Sequence, residues 1–240
     1  MNRIFSDDWR MNKEKTELTK PAIRGIFHWC DRWCEKCSQT GLCTLYKNSS
    51  SITPEEIMES LPEILETAKK MLKDILGKKT ANPDALTISD FENEYDWKAH
   101  LIRKNDGVVL AKKYRKKVKR WLNSLKDQLG MEIRMQDHTL SDYMDVIFWY
   151  EAMLEIKMER ALISKQEEEE ESINPYDSLG NAKLLLVSIG RSIEAWSYLY
   201  EKFKNDEDLI LDILINLKNL SNKIEQIFPE ARAFIRPGLD

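Results

Sequence analysis

A chain of 240 residues is long enough for one large domain or two small ones. Hydrophobic residues make up 42% and charged residues 32%, which suits a folded protein, and a net charge of -4 excludes a general polyanion binder. The opening MNRIFSDDWRMNKEKTELTK holds no apolar core of signal-peptide length and no run approaches a membrane span, so the expected location is the cytoplasm, with reduced thiols.

The chain has only 8 glycines and 7 prolines and is rich in Glu, Lys, Leu and Ile, which favours an all-α fold. After a cysteine-bearing segment, Thr53-Pro54 with Glu56 reads as a capping box. Ile57, Leu61, Ile64, Leu65, Ala68, Leu72 and Ile75 then keep helical spacing up to Gly77. KKTANPDALTISD reads as a loop. A helical region from about Asp90 to Leu129 is interrupted at Asn105-Asp106-Gly107 and carries Val108, Ala111, Val118, Trp121, Leu122 and Leu125 on one stripe. The next helix, capped by Thr139 or Ser141, runs to about Lys165, and Gln166 to Tyr176 is expected to be an acidic loop. Asp177 or Ser178 caps a helix with Leu179, Ala182, Leu186, Ile189, Ile193, Trp196 and Tyr200 on its core face. The last helix, from near Asp206 to Phe228-Pro229, has the cleanest stripe: Ile210, Ile213, Leu217, Leu220, Ile224 and Ile227. No strand pattern is visible. The expected fold is an all-α bundle of four to five long helices over residues 51–240, with a Cys-rich metal-binding segment, residues 1–50, packed on it in one compact domain.

HWCDRWCEKCSQTGLCTLY contains all four cysteines, Cys30, Cys34, Cys37 and Cys43. In a reduced protein such a cluster points to metal ligation rather than disulfides. If the first part is helical, Cys30, Cys34 and Cys37 fall at i, i+4 and i+7 on one stripe, with Cys43 arriving from a turn at Ser38 to Gly41. Structural zinc prefers two short ligand pairs separated by a longer loop, whereas compact runs with gaps of two to five residues are usual for an iron–sulfur cubane. The spacing therefore favours a [4Fe-4S] cluster, with Zn as the alternative cofactor. Phe27, Trp29, Trp33 and Tyr46 surround the run and serve packing, shielding of a cluster from water, or both.

CDRWCEKCSQTGLC resembles the cysteine run of the oxygen-sensing fumarate and nitrate reductase regulator family, and its Cys34-x2-Cys37-x5-Cys43 part resembles the WhiB-like regulators. The resemblance covers about fifteen residues and implies a [4Fe-4S] cluster. In the oxygen sensors the first cysteine of the run is not a ligand and a distant one completes the set. This chain has no other cysteine, so the resemblance implies Cys30 as the fourth ligand, or else His28. Neither a cyclic-nucleotide-type β-barrel nor a DNA-reading helix pair accompanies the run. WYEAMLEIKMERAL and SLGNAKLLLVSIGRSIEAW resemble an uncharacterised bacterial helical family, which implies no activity. The Cys-x3-Cys-x2-Cys part is also similar to radical S-adenosylmethionine enzymes, whose βα barrel finds no strands here.

KKYRKKVKR, Lys112 to Arg120, carries seven basic residues in nine and is either a candidate phosphate-binding face or a solvated helix face; overall acidity weighs against nucleic acid. Glu151, Glu155 and Glu159 repeat at i+4, and Glu92, Asp96 and His100 form a second, weak metal pattern; pairing with Lys157, Arg160 or Lys98 is the simpler reading of both. Lys157 and Arg191 fall near core positions and need partners, for which Asp177, Glu155 or Glu194 are available. No nucleophile triad, Walker loop or dinucleotide fingerprint is present, so catalytic residues are unassigned. Three functions follow: an iron–sulfur protein in redox or oxygen sensing, electron transfer or stapling; a zinc-stapled module for a protein partner; or an all-α metal-dependent nucleotide hydrolase with Glu151 and Glu155 on magnesium.

Overall fold

The computed structural model describes residues 21–49, 54–79, 100–128, 138–171 and 176–240. Among these residues there is no strand, and the fold is all-α. The helices are α1 (Thr44–Ser49), α2 (Pro54–Lys79), α3 (Asp106–Gln128), α4 (His138–Glu171), α5 (Asp177–Lys202) and α6 (Glu207–Ile227). The Thr53 cap, the Asn82-Pro83 loop, Glu92, Asp96, Lys98 and Asn174-Pro175 lie outside the described residues.

The chain divides into two units, residues 25–35 with 99–240, and residues 1–24 with 36–98. In the first, α3 packs against α4 and α6, and α5 also packs against α4 and α6. Polar ladders show that neighbours run antiparallel. Lys112 reaches Glu159 while Lys119 reaches Glu151, which sets α3 against α4. The Nδ2 of Asn216 donates to the carbonyl of Leu110 (2.9 Å) and the Nε1 of Trp121 to Asp206 (3.1 Å), which sets α3 against α6.

The heptad-like stripes explain the packing. Val108, Ala111, Tyr114, Val118 and Trp121 are fully buried on α3, and Ile210, Ile213, Leu217, Leu220 and Ile224 on α6. Between them the Trp121 and Trp196 rings meet edge to face at 5.0 Å. The Nε1 of Trp196 donates to the Tyr114 hydroxyl (3.2 Å), so neither buried polar tip is wasted. Burial pushes the Tyr114 phenol up to about 12.

The break expected at Asn105-Asp106-Gly107 is present, and two other boundaries differ from the sequence expectations. The helix break falls at Asn105, whose side chain accepts from the Gly107 N–H (2.8 Å) and caps α3. The acidic stretch 166–171, expected as a loop, continues α4. Glutamate is a good helix former, and Glu168 receives both the Ser178 N–H (2.8 Å) and its hydroxyl (2.6 Å), capping the first turn of α5 from outside. Thr139 and Ser141 sit within the first turn of α4, which begins at His138. On α5 the core face is broader than expected: Ala182, Leu185, Ile189, Ala195, Trp196 and Leu199 are buried, while Leu179, Leu186, Ile193 and Tyr200 are only half-buried.

In the other unit, α2 runs past Gly77 to Lys79 and holds Pro62 in its interior. That proline removes one backbone N–H from the helical ladder. The N–H of Ile23 donates to the carbonyl of Leu42 (3.0 Å), which ties the stretch before the cysteines to the turn preceding α1.

Candidate functional site

The cysteine run is not a helix. Turns occupy residues 24–29 with a bend at Cys30, Arg32 adopts a left-handed φ of 60°, and short 3-10 turns follow at Cys34–Lys36 and Thr40–Leu42. The expected stripe of Cys30, Cys34 and Cys37 on one helix face is therefore absent, because the left-handed residue between Cys30 and Cys34 cannot continue a right-handed helix. All four thiols are half-buried and none is in a disulfide. The Sγ of Cys30 donates to the Phe27 carbonyl (3.5 Å), and the Sγ of Cys37 accepts the N–H of Gln39 (3.4 Å). Cys43 caps the second 3-10 turn and its carbonyl opens α1 by accepting the N–H of Lys47 (3.1 Å). His28 is exposed and leans on the Phe27 ring. The boundary between the two units falls after Glu35, so Cys30 and Cys34 belong to one and Cys37 and Cys43 to the other. Among the described residues no three His, Cys, Asp or Glu side chains are gathered into a group able to hold a metal ion.

The first half of the run is held firmly by the bundle. Asp31, between Cys30 and Cys34, is the hub. Its Oδ2 accepts from the Tyr150 hydroxyl (2.7 Å) and from the guanidinium of Arg191 (2.7 Å), and Arg191 also donates to the Tyr150 oxygen (2.7 Å). The Nε1 of Trp149 donates to the Asp31 carbonyl (3.0 Å), and the Trp33 ring stacks on Trp149 at 5.1 Å. Burial, then the nearby Asp31 charge, push the Tyr150 phenol far above its ordinary range, so it is the proton donor to Asp31.

A second grip holds Trp29. Its Nε1 donates to Asp177 (3.2 Å), its carbonyl accepts from the buried Arg236 (3.3 Å), and its ring meets Phe234 edge-on at 5.1 Å. The ring also lies on Gly180, where an added Cβ would come within 2.3 Å of it. Aromatic packing of this segment onto the helices is thus direct for Trp29 and Trp33.

Lys157 is half-buried and Arg191 exposed, and their partners differ from the expected ones. Arg191 takes Asp31 rather than Asp177, Glu155 or Glu194. Lys157 lies 3.4 Å from the Asn181 side-chain oxygen; burial lowers its pKa, and the nearby Cys30 pulls it back up. Asp177 serves Arg160 (2.9 Å) and Ser164 (2.6 Å) instead. Burial pushes the Asp177 carboxyl up, but the bonds from Ser164, Arg160 and Trp29 outweigh it and hold the group below its ordinary value. A depressed carboxyl pKa stabilises the fold fully above the unfolded value of about 3.9, and that contribution is lost progressively as pH falls from there through the lower folded value. Asp177→Asn is therefore expected to lower stability at neutral pH, with the gap to the parent chain closing below about pH 4. Urea titrations followed by tryptophan fluorescence across that range measure it; a gap that stays constant with pH would contradict the assignment.

The basic stretch and the glutamate ladder neutralise one another. Arg115 binds Glu151 (3.1 Å) and Glu155 (3.2 Å), Lys112 lies 3.5 Å from Glu159, and Lys119 lies 3.7 Å from Glu151. Lys117 is buried against α6, where it meets the carboxylate (2.7 Å) and carbonyl (3.0 Å) of Asp212. The glutamates were expected to pair with Lys157 and Arg160 along their own helix; they pair across to α3 because those cations face α5 and the Trp29 segment. Lys113, Lys116 and Arg120 remain exposed on the outer face.

Sequence reasoning missed Asp31, Gly180 and Arg236. Their partners lie as far as 207 residues away along the chain. Only the unexplained helix-interior glycine in SLGNAKL carried a signal, since such a residue implies close approach of another group.

No protein-family model, curated protein or solved structure matches this chain. No described helix is long and apolar enough to cross a membrane.

Proposed function

We propose that the protein is a cytoplasmic iron–sulfur protein in which Cys30, Cys34, Cys37 and Cys43 bind a [4Fe-4S] cluster whose state is sensed by the helical bundle. Four thiols in fourteen positions, with compact gaps, support the cofactor. Thiolates repel one another until a metal bridges them, so ligand sets of this kind assemble as the metal binds. The observation that carries the sensing role is the placement of the hub. Asp31 and Trp33 stand between two of the thiols, and Tyr150, Arg191 and Trp149 grip them from α4 and α5. A change of ligation at Cys30 or Cys34 is transmitted to that grip within three residues. A carrier of electrons alone needs no such linkage.

Hydrogen exchange tests the sensing role. Residues 25–35 are expected to be more protected in anaerobically loaded protein than after exposure to air, with α6 unchanged as an internal reference. Equal protection in both states would remove the sensing role while leaving cofactor binding to be judged separately.

A further inference from the structure

We propose that α2 is a dimerisation helix that pairs antiparallel with α2 of a second copy of this chain. Its apolar stripe faces solvent: Met58, Leu61, Ile64, Leu65 and Met71 are 41–69% exposed. Their spacing repeats at three and four residues, the pattern of a helix that buries one seam against another helix. A row of large apolar side chains left in water is a binding surface rather than a normal exterior.

The occupant is indicated by charge. Every acid in the first half of α2, Glu55, Glu56, Glu59, Glu63 and Glu66, precedes position 67, and Lys69, Lys70, Lys73, Lys78 and Lys79 follow it, with Asp74 the single exception. Parallel pairing of two such helices sets like charges together along their whole length. Antiparallel pairing sets each acidic half beside a basic half and opposes the two helix dipoles. An isologous two-fold contact is self-complementary, and this helix is complementary to itself in only that orientation. An axis at Ala68 satisfies both patterns at once, bringing Leu65 level with the partner's Met71 and Glu66 level with the partner's Lys70. The small side chain at the crossing point lets the helices approach closely.

Sedimentation equilibrium of the full chain tests this. The wild type is expected at twice the chain mass, and Leu61→Glu/Leu65→Glu at the chain mass; both side chains are exposed, so far-ultraviolet and tryptophan signals of the other unit should not change. Glu63→Lys/Glu66→Lys and Lys69→Glu/Lys70→Glu should each lose the dimer at low salt, and an equimolar mixture of the two should regain it. A monomeric wild type would overturn the proposal. So would a dimer indifferent to Leu61→Glu/Leu65→Glu, or charge-reversed chains that pair with themselves as tightly as with each other.

Discussion

Trp196→Ala is expected to cost about 3–5 kcal/mol of folding stability, the range for deleting a fully buried tryptophan. Trp196 is completely inaccessible, contacts Trp121 edge-on, and donates its indole N–H to Tyr114. Removing it leaves a cavity between α3 and α5. It also takes a partner from the Tyr114 hydroxyl, whose remaining side-chain bond is to Ser192. A domain of ordinary stability has roughly 5–15 kcal/mol in hand, so the variant should be near its limit at room temperature. Trp196→Phe keeps most of the volume and loses the N–H, so it should fall between the two. Urea unfolding by circular dichroism reads all three chains; an alanine variant as stable as the parent would contradict the seating of Trp196 against Trp121 and Tyr114 in the core.

The second large effect comes from two glycines in one helix. Gly180→Ala pushes a methyl group into the Trp29 ring, which lies where the new Cβ would stand. The ring cannot give way without breaking its bond to Asp177 and its contact with Phe234. Overpacking of this kind costs about 1–3 kcal/mol, and here it should also release residues 25–35 from the bundle. Gly190→Ala is the control, because nothing lies within 4 Å of its added Cβ. Replacing an unhindered helical glycine with alanine should gain roughly 0.5–1 kcal/mol. The two substitutions should thus move the unfolding midpoint in opposite directions. A shift of the same sign in both would mean that Trp29 does not seat on α5.

How much of this was legible follows from which forces act locally. The stripe of α6 was fully readable because that helix buries a single face, and five of its six expected positions are buried, with Ile227 partly so. The broad face of α5 was read too narrowly, since α5 meets α4, α6 and the Trp29 segment, and a helix covered on several sides loses its simple period. The acidic 166–171 stretch looked like a loop because Glu168 finds its purpose only in Ser178, across the turn. The thiol stripe failed for a backbone reason: three positions with helical spacing do not make a helix when Arg32 is left-handed. The cross-helix pairing of Arg115 with Glu151 and Glu155, and the hub at Asp31, depend on tertiary neighbours that no local pattern encodes.

Native mass spectrometry of the intact chain, purified and kept without oxygen, tests the cofactor most directly. Wild-type protein should carry the added mass of four irons and four sulfides, and a chain with Cys30, Cys34, Cys37 and Cys43 all changed to serine should carry none. Wild-type protein that appears at the bare polypeptide mass, even after incubation with ferrous iron and sulfide, would contradict the cluster; the mass of a single zinc in its place would contradict it equally.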